Sequence, residues 1–327
     1  MSAPSASVPR FSVVVPTYNR PEQLSRCLAA LCELAYPQDR YEILIVDDGS
    51  PESTYEQIGE AVKRHRESHS DLAIRLLTQT NAGPASARNH GLREATGEYI
   101  AFTDDDCAPA PGWLTALAQR FASVPEDMLG GYTANLLEND PFASSSQLLL
   151  DYLYQCWNGL DSGEATFFAS NNIAFPVAEL RLLGGFDAGF PLAAAEDRDL
   201  CRRWLASGKR MTYVANAHIG HFHGMSLRKF YRQHHNYGRG AFHYHHRTTQ
   251  ETDSAPRTVK VAPLRFYRDL MLYPFRSRTA GRGHSPVVLS GLLFLSQFAN
   301  AAGFFGEKNR WNQNAGLQRR TQGQKIP

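Results

Sequence analysis

The feature that most constrains this chain is the alternation of short apolar runs with amphipathic stretches across its first hundred residues. Phe11–Pro16 (FSVVVP), Tyr41–Val46 (YEILIV), Ala73–Leu77 and Tyr99–Phe102 read as strands. The first is β-branched, apolar and closed by proline, so it has no face suited to water and needs cover on both sides. Between the strands lie helical stretches. Pro21–Leu34 carries proline in its first turn and sets Leu24, Leu28 and Leu31 on one face. Two more helices are expected at about Thr54–Arg66 and at Pro84–Ala95. Strand, helix, strand repeated in this way requires right-handed crossovers. The expected architecture is therefore α/β and Rossmann-like: a mostly parallel central sheet with helices on both faces.

Ligands of such sheets bind outside the carboxyl ends of the strands. Three polar clusters sit just there: Pro16–Arg20 (PTYNR), Asp47–Ser50 (DDGS) and Thr103–Asp106 (TDDD). Five acids, Asp47, Asp48, Asp104, Asp105 and Asp106, would share one rim. Neighbouring carboxylates resist joint ionisation unless a cation or hydrogen-bond donors neutralise them. Hard oxygen ligands suit Mg²⁺ or Mn²⁺, which complete their shells with water and substrate phosphate. In extended chain Asp104 and Asp106 share a face. A solvated acidic turn and an ordinary Asp-Gly turn are the plainer readings of the two acidic clusters.

The second half is less regular. Trp113–Ala122 reads as a helix, Phe167–Phe175 as a strand interrupted by polar residues, and Leu183–Phe190 as a glycine-rich loop. Glu196 opens a helix to about Ser207, with Leu200 and Trp204 on its core face. Acids in a first turn are favoured by the helix dipole. His218–His246 holds eight of the twelve histidines. His221 and His223 alternate along extended chain and would point the same way.

These segments resemble the large family 2 of inverting glycosyltransferases, which has the GT-A fold. The resemblance rests on VPTYNR (Val15–Arg20), VDDGS (Val46–Ser50), NAGPASARNHGLRE (Asn81–Glu94), GEYIAFTDDDC (Gly97–Cys107) and EDRDL (Glu196–Leu200), in family order over roughly residues 10–240. It implies sugar transfer from a nucleotide-sugar donor, with a lean to UDP, to a hydroxyl of a glycan or lipid-linked acceptor. It implies that Pro16 and Tyr18 flank the base, that Asp48 bonds it with Asp47 close by, and that Arg88 faces the nucleotide. Asp106 would bind a divalent metal, Mn²⁺ or Mg²⁺, with Asp104 and Asp105 on the donor side and His223 completing the metal site. Asp197 would be the catalytic base, Glu196 would meet the acceptor, and Gly185 would let the backbone approach the sugar. Tyr231, Arg232 and Arg239 would line an acceptor channel. QHHNY (Gln233–Tyr237) lacks the Arg and Trp of the processive members' QxxRW motif, which argues against processive synthesis. A non-catalytic nucleotide-sugar binding module is the alternative, and it would have no need of Asp197. A nucleotidyltransferase would want a glycine-rich phosphate loop after the first strand, which PTYNR lacks.

On this reading residues 1–9 are an arm, 10–250 the catalytic domain (10–110 for the nucleotide, 111–250 for the acceptor), and 251–327 a helical, basic and apolar extension. Net charge is +2 and names no partner. Between Arg228 and His284, however, twelve Lys/Arg face three Asp/Glu. No nucleic-acid-binding motif accompanies them, so an anionic membrane surface is the expected partner, not nucleic acid. Pro286–Gly306 is long enough to span a bilayer core of about 30 Å, but Ser290, Ser296, Gln297 and Asn300 dilute it. An interfacial helix at the inner face of the membrane, a packed helix of a cytoplasmic enzyme, and a homodimer contact all remain open. The five cysteines form no CxxC pair, so spacing indicates neither zinc nor a disulfide framework, and a reducing compartment is expected.

Overall fold

The computed structural model describes residues 8–158, 165–190, 194–250, 262–277 and 283–323. Its first part alternates as expected: β1 (Phe11–Thr17), α1 (Pro21–Cys32), β2 (Tyr41–Asp47), α2 (Glu52–Ser68), β3 (Ala73–Thr78), α3 (Pro84–Glu94) and β4 (Tyr99–Phe102). There follow β5 (Cys107–Pro109), α4 (Trp113–Phe121), β6 (Met128–Asn135), α5 (Pro141–Trp157), β7 (Ile173–Pro176), α6 (Val177–Leu182), α7 (Glu196–Ala206) and β8 (Met211–His221). Three helices end the chain: α8 (Leu227–Gln250), α9 (Leu264–Arg276) and α10 (Pro286–Gly323).

The eight strands form one sheet in the order β3-β2-β1-β4-β7-β6-β8-β5. The four N-terminal strands are parallel to one another. Beyond them the sheet is mixed, because β7 runs antiparallel to both β4 and β6, and β5 antiparallel to β8. Side chains alternate across the sheet with the period of two that a strand imposes. Val13, Val15, Ile43 and Ile45 pack with Leu24, Leu28 and Leu31 of α1, Ile58 of α2 and Trp113 of α4. Val14, Leu44, Val46 and Phe102 pack on the other face with Ala87 and Leu92 of α3, Leu180 of α6 and Trp204 of α7. Both faces are thus dry, as the uninterrupted apolar strands require. The fold is of the GT-A type, with a helical C-terminal extension.

The expected strand at 167–175 shrinks to β7, and the reason is Asn172. Its carboxamide accepts from Trp113 Nε1 at 2.9 Å and donates to the Tyr132 and Ala217 carbonyls at 3.0 and 2.9 Å. The polar interruption is therefore a buried tie between neighbouring elements, almost wholly closed to solvent.

The chain divides into two compact units. One comprises the residues up to Leu137, with Leu150–Gly189 and Asp197–His223; the other comprises Glu138–Leu149, Phe190–Glu196 and the residues from Gly224 onward. This grouping places α8 with the C-terminal helices. Within that second unit α8 and α10 meet through glycines. A Cβ on Gly238 would lie 1.8 Å from the Asn300 carbonyl oxygen, and one on Gly303 would lie 1.9 Å from that of His235. Arg239 and His243 of α8 both reach Glu307 of α10, at 2.7 and 3.1 Å. Arg239, which the resemblance sets beside an acceptor, also belongs to this helix pair. One face of α10 stays exposed and apolar, with Phe294, Phe298 and Phe305 each more than half accessible.

Candidate active site

The site is built from the carboxyl ends of the parallel strands. β1 outruns β4, whose pairing stops at Val14 with Phe102. Pro16 falls just past that point, where a missing N–H costs no ladder bond, and it is buried. The loop beyond it exposes Tyr18 and turns at Asn19, which has φ +55°. Asn19 is held on both sides: its N–H donates to Ser50 Oγ at 2.8 Å, and its carboxamide accepts from Thr54 at 2.8 Å. Ser50 in turn donates to Asp47 from its backbone and hydroxyl.

Asp48 organises the next loop. Its carboxylate accepts from Gln79 Nε2 at 2.7 Å, from Ala82 N at 2.9 Å and from Gly83 N at 2.8 Å. Those residues lead directly into α3, so Asp48 fixes the start of the helix that carries Arg88. Gly49 is required beside it: φ is +79°, and a Cβ would lie 2.7 Å from Asn81 N.

The three consecutive aspartates do not lie in extended chain. The Cys107 N–H donates to the Asp104 carbonyl at 3.0 Å, which closes a turn and removes the strand alternation expected of Asp104 and Asp106. Among the described contacts Asp104 shares no partner with the other two. Asp104 accepts from Arg88 at 2.8 Å. Asp105 accepts from Thr17 at 2.8 Å and from Arg20 at 2.6 Å. Burial pushes the Asp105 carboxyl up to about 6, against the charge of Arg20 and with the help of Asp106.

Asp106 receives side chains from two other segments, the loop after β1 and the end of β8. Arg20 Nη1 lies 3.1 Å from one of its oxygens, His223 Nδ1 3.3 Å from the same oxygen, and His221 Nε2 3.2 Å from the other. The two imidazoles stack with ring centroids 5.0 Å apart. Burial opposes ionisation of Asp106, yet the hydrogen bonds from His221 and His223 and the charge of Arg20 hold it far below the usual carboxylate range. The Phe222 N–H also donates to the Asp106 carbonyl at 2.9 Å, so backbone and side chain both tie this residue to the end of β8. Once the two imidazole protons are off, one carboxylate and two ring nitrogens form a convergent oxygen-and-nitrogen donor set. Asp106 Oδ and a His221 ring nitrogen also lie within 4.8 Å of each other and of Cys107 Sγ. These residues fit a divalent cation with mixed ligand preference.

A second group gathers around Arg88, which is buried on α3. Its guanidinium lies over the Phe186 ring, 5.3 Å from the centroid. Phe186 is positioned by Asn89, whose carboxamide donates to the Phe186 carbonyl at 2.7 Å and accepts from its N–H at 2.8 Å. Gly185, with φ +70°, is where this loop presses on Asn89: a Cβ there would lie 2.4 Å from Asn89 Oδ1. That close approach is to the protein's own side chain, and Gly184 beside it is open.

Asp197 lies within the field of the same arginine. Burial pushes its carboxyl up, opposed by a 2.7 Å hydrogen bond from the Arg198 N–H and by the charges of Arg198 and Arg88. The residue is half-buried, a setting in which a carboxylate is poorly hydrated. Arg198 is held over Trp157 and Phe167, 5.1 and 5.6 Å from their centroids. Glu196 is buried, and Ala195 before it has φ +74°, a conformation that costs a non-glycine residue about 1–2 kcal/mol.

The family model for glycosyl transferase family 2 matches residues 12–177, half of the chain, including the Asp47–Ser50 loop, Arg88 and all three consecutive aspartates. The chain belongs to glycosyl transferase family 2. Curated relatives include the glycosyltransferase AglE of Haloferax volcanii, 32% identical over 127 residues (39% of this chain and 40% of the relative). The pre-mycofactocin glycosyltransferase of Mycobacterium tuberculosis is 29% identical over 222 residues (66% of this chain and 43% of the relative). The chain thus spans about two-fifths of the length of these relatives. Among solved structures, the mannosyltransferase PcManGT of Pyrobaculum calidifontis, in complex with GDP-Man and Mn²⁺, matches with a TM-score of 0.59 at 22% identity, over 89% of this chain and 87% of that one. Residues 1–349 of Staphylococcus aureus TarS, in complex with UDP-GlcNAc, match with a TM-score of 0.51 at 17% identity, over 93% and 92%. Both likenesses show the fold.

In this family 2 chain, Arg20, Asn89 and His221 join the site without a sequence signal that singled them out. Arg20 belongs to a motif valued for its neighbours Pro16 and Tyr18, and nothing in PTYNR announces a bridge to Asp105 and Asp106. His221 carried the same signal as His223, the two-residue alternation of HFH, and the structure sets both on Asp106.

Proposed function

We propose that the chain is an inverting, metal-assisted hexosyltransferase that moves a sugar from a UDP-linked donor to a hydroxyl of a glycan or glycolipid. The observation that carries this reading is the arrangement around Arg88 and Asp106. An arginine bonded to the first aspartate of the trio also acts on Asp197, while the last aspartate gathers Arg20, His221 and His223. Pro16, Tyr18, Asp47 and Asp48 shape the nucleoside end; Arg88, Asp104 and Asp105 lie on the donor side; Glu196 and Gly185 belong to the acceptor side.

Asp197 is the base. Its raised pKa strengthens it as a proton acceptor, since it is poorly solvated when ionised. The acceptor oxygen attacks the anomeric carbon as Asp197 takes the hydroxyl proton. The bond from that carbon to the diphosphate oxygen breaks, and its electron pair leaves with the nucleoside diphosphate. A single displacement inverts the anomeric centre without a covalent enzyme intermediate. Asp106, His221 and His223 would hold Mn²⁺ or Mg²⁺, which supplies Lewis-acid neutralisation of the departing diphosphate. Arg20 offers a second positive charge beside it. The exposed apolar face of α10 and the arginines of α9 (Arg265, Arg268, Arg276) support peripheral association with an anionic inner leaflet.

The test is transfer, with the product anomer read by NMR, for wild type and Asp197→Asn over a panel of nucleotide sugars. Loss of a general base lowers kcat by about 10²–10⁴-fold while donor binding persists. Wild-type activity should fall with acid along a limb set above that of an ordinary aspartate, because the base must be ionised. Equal transfer by both proteins would refute the assignment. Donor binding without transfer by either would point to a nucleotide-sugar binding module.

A further inference from the structure

A second set of metal-ligating side chains lies away from the site just described. Cys32 closes α1, His65 lies in the last turn of α2, and His69 caps that helix one turn further on. One ligand atom from each lies within 4.8 Å of the other two. Both helices start at the carboxyl ends of their strands and run back, so their last turns return to the opposite edge of the sheet from Asp106.

The surroundings of the two imidazoles point to a ligand. His69 Nδ1 lies 3.1 Å from the His65 backbone carbonyl, and a carbonyl only accepts. Nδ1 therefore carries the proton and Nε2 keeps its lone pair. His65 is half-buried beside it, and the two rings stack with centroids 6.4 Å apart. Metal-bound histidines are oriented as His69 is, with the second ring nitrogen donating to a carbonyl or carboxylate. Burial pushes the Cys32 thiol up to about 11, so in the absence of a cation it stays protonated. Glu33 follows Cys32, and its Oε1 lies 3.8 Å from His69 Nε2.

We propose that Cys32, His65 and His69 bind a zinc-class divalent ion, with Glu33 or water as fourth ligand, and that the ion clasps α1 to α2. Tetrahedral zinc with Zn–S of about 2.3 Å and Zn–N of about 2.0–2.1 Å sets such ligand atoms roughly 3.5 Å apart, within reach of small side-chain rotations. On binding, the thiol proton leaves to solvent and a sulfur–metal bond forms, with no change of oxidation state. A thiolate with two imidazoles disfavours Mg²⁺ and Mn²⁺, so this site is chemically separate from the one at Asp106. Ligands drawn from two helices escape any spacing rule for zinc motifs.

The test is Co²⁺ titration of the full chain in excess Mg²⁺, read as the thiolate-to-cobalt charge-transfer band and reversed by Zn²⁺. The band should appear in wild type, persist in Asp106→Asn, vanish in Cys32→Ser and weaken at least about tenfold in affinity in His69→Gln. Circular dichroism checks that each variant folds. If Cys32→Ser does not fold, His69→Gln decides, since its side chain lies near the surface. No band in wild type, a band unchanged in either site variant, or a band lost in Asp106→Asn would overturn the proposal.

Discussion

Replacing Arg88 with methionine tests the link between the donor side and the base in one protein. Arg88 is 4% exposed and lies 2.8 Å from Asp104, whose own side chain is 32% exposed. At an effective dielectric of 20 the gross attraction across 2.8 Å is about 6 kcal/mol. Breaking a fully buried pair costs about 3–5 kcal/mol, and the exposure of Asp104 lowers that to about 2–3. Loss of the stacking on Phe186 adds about 1 kcal/mol. The total, about 3–4 kcal/mol, corresponds to a fall in Tm of roughly 6–12 °C for a protein domain of this size class. The same change removes a positive charge that favours ionised Asp197, so the acid limb of the rate profile should move to higher pH. Thermal unfolding of Arg88→Met, Asp104→Asn and the double variant isolates the pair, with an expected coupling of about 2 kcal/mol. A coupling below about 0.5 kcal/mol together with an unmoved acid limb would refute the reasoning.

Glu42 is buried and accepts from Ser12 Oγ, Thr96 N and Thr96 Oγ1 at 2.7, 2.8 and 2.7 Å, with Arg75 3.6 Å away. Burial works against its ionisation, but these hydrogen bonds and the Arg75 charge bring its pKa below the ordinary value. A depressed carboxyl stabilises the fold above its unfolded pKa of about 4.3 and loses that contribution as pH falls through the folded value. Glu42→Gln should therefore cost about 2–3 kcal/mol at neutral pH, with the gap to wild type closing in acid, as measured by urea midpoints against pH. Gly303→Ala should destabilise by about 2–3 kcal/mol, because its methyl would meet the His235 carbonyl. Gly306→Ala, which meets nothing within 4 Å, should be neutral or stabilising by up to about 1 kcal/mol in the same thermal assay.

What the sequence revealed and what it concealed divide along physical lines. β1, β2 and β4 are short apolar runs with turn residues at their ends, and local chemistry places them to within a residue or two. The rim followed from that, because polar residues just past parallel strands must lie at one edge. β5, β6 and most of β8 resisted the same treatment, and β7 is shorter than its pattern suggests. β7 has four residues and is inserted between strands distant in sequence, which no local pattern encodes. Asp104 and Asp106 were placed on one face by assuming extended chain, whereas one backbone hydrogen bond makes a turn of them. The histidine partners of Asp106 lie 115 and 117 positions away, so their meeting depends on the antiparallel pairing of β5 with β8.

The crossing of α8 and α10 bears on how this protein would meet a bilayer. With Gly238 and Gly303 bringing the two backbones into touch, and Glu307 fastened to both Arg239 and His243, α10 is not a detachable anchor. Peeling it away would strip carbonyls and an acid of their neighbours. A lipid surface that met the phenylalanines of α10 would therefore meet the two helices together, as a raft.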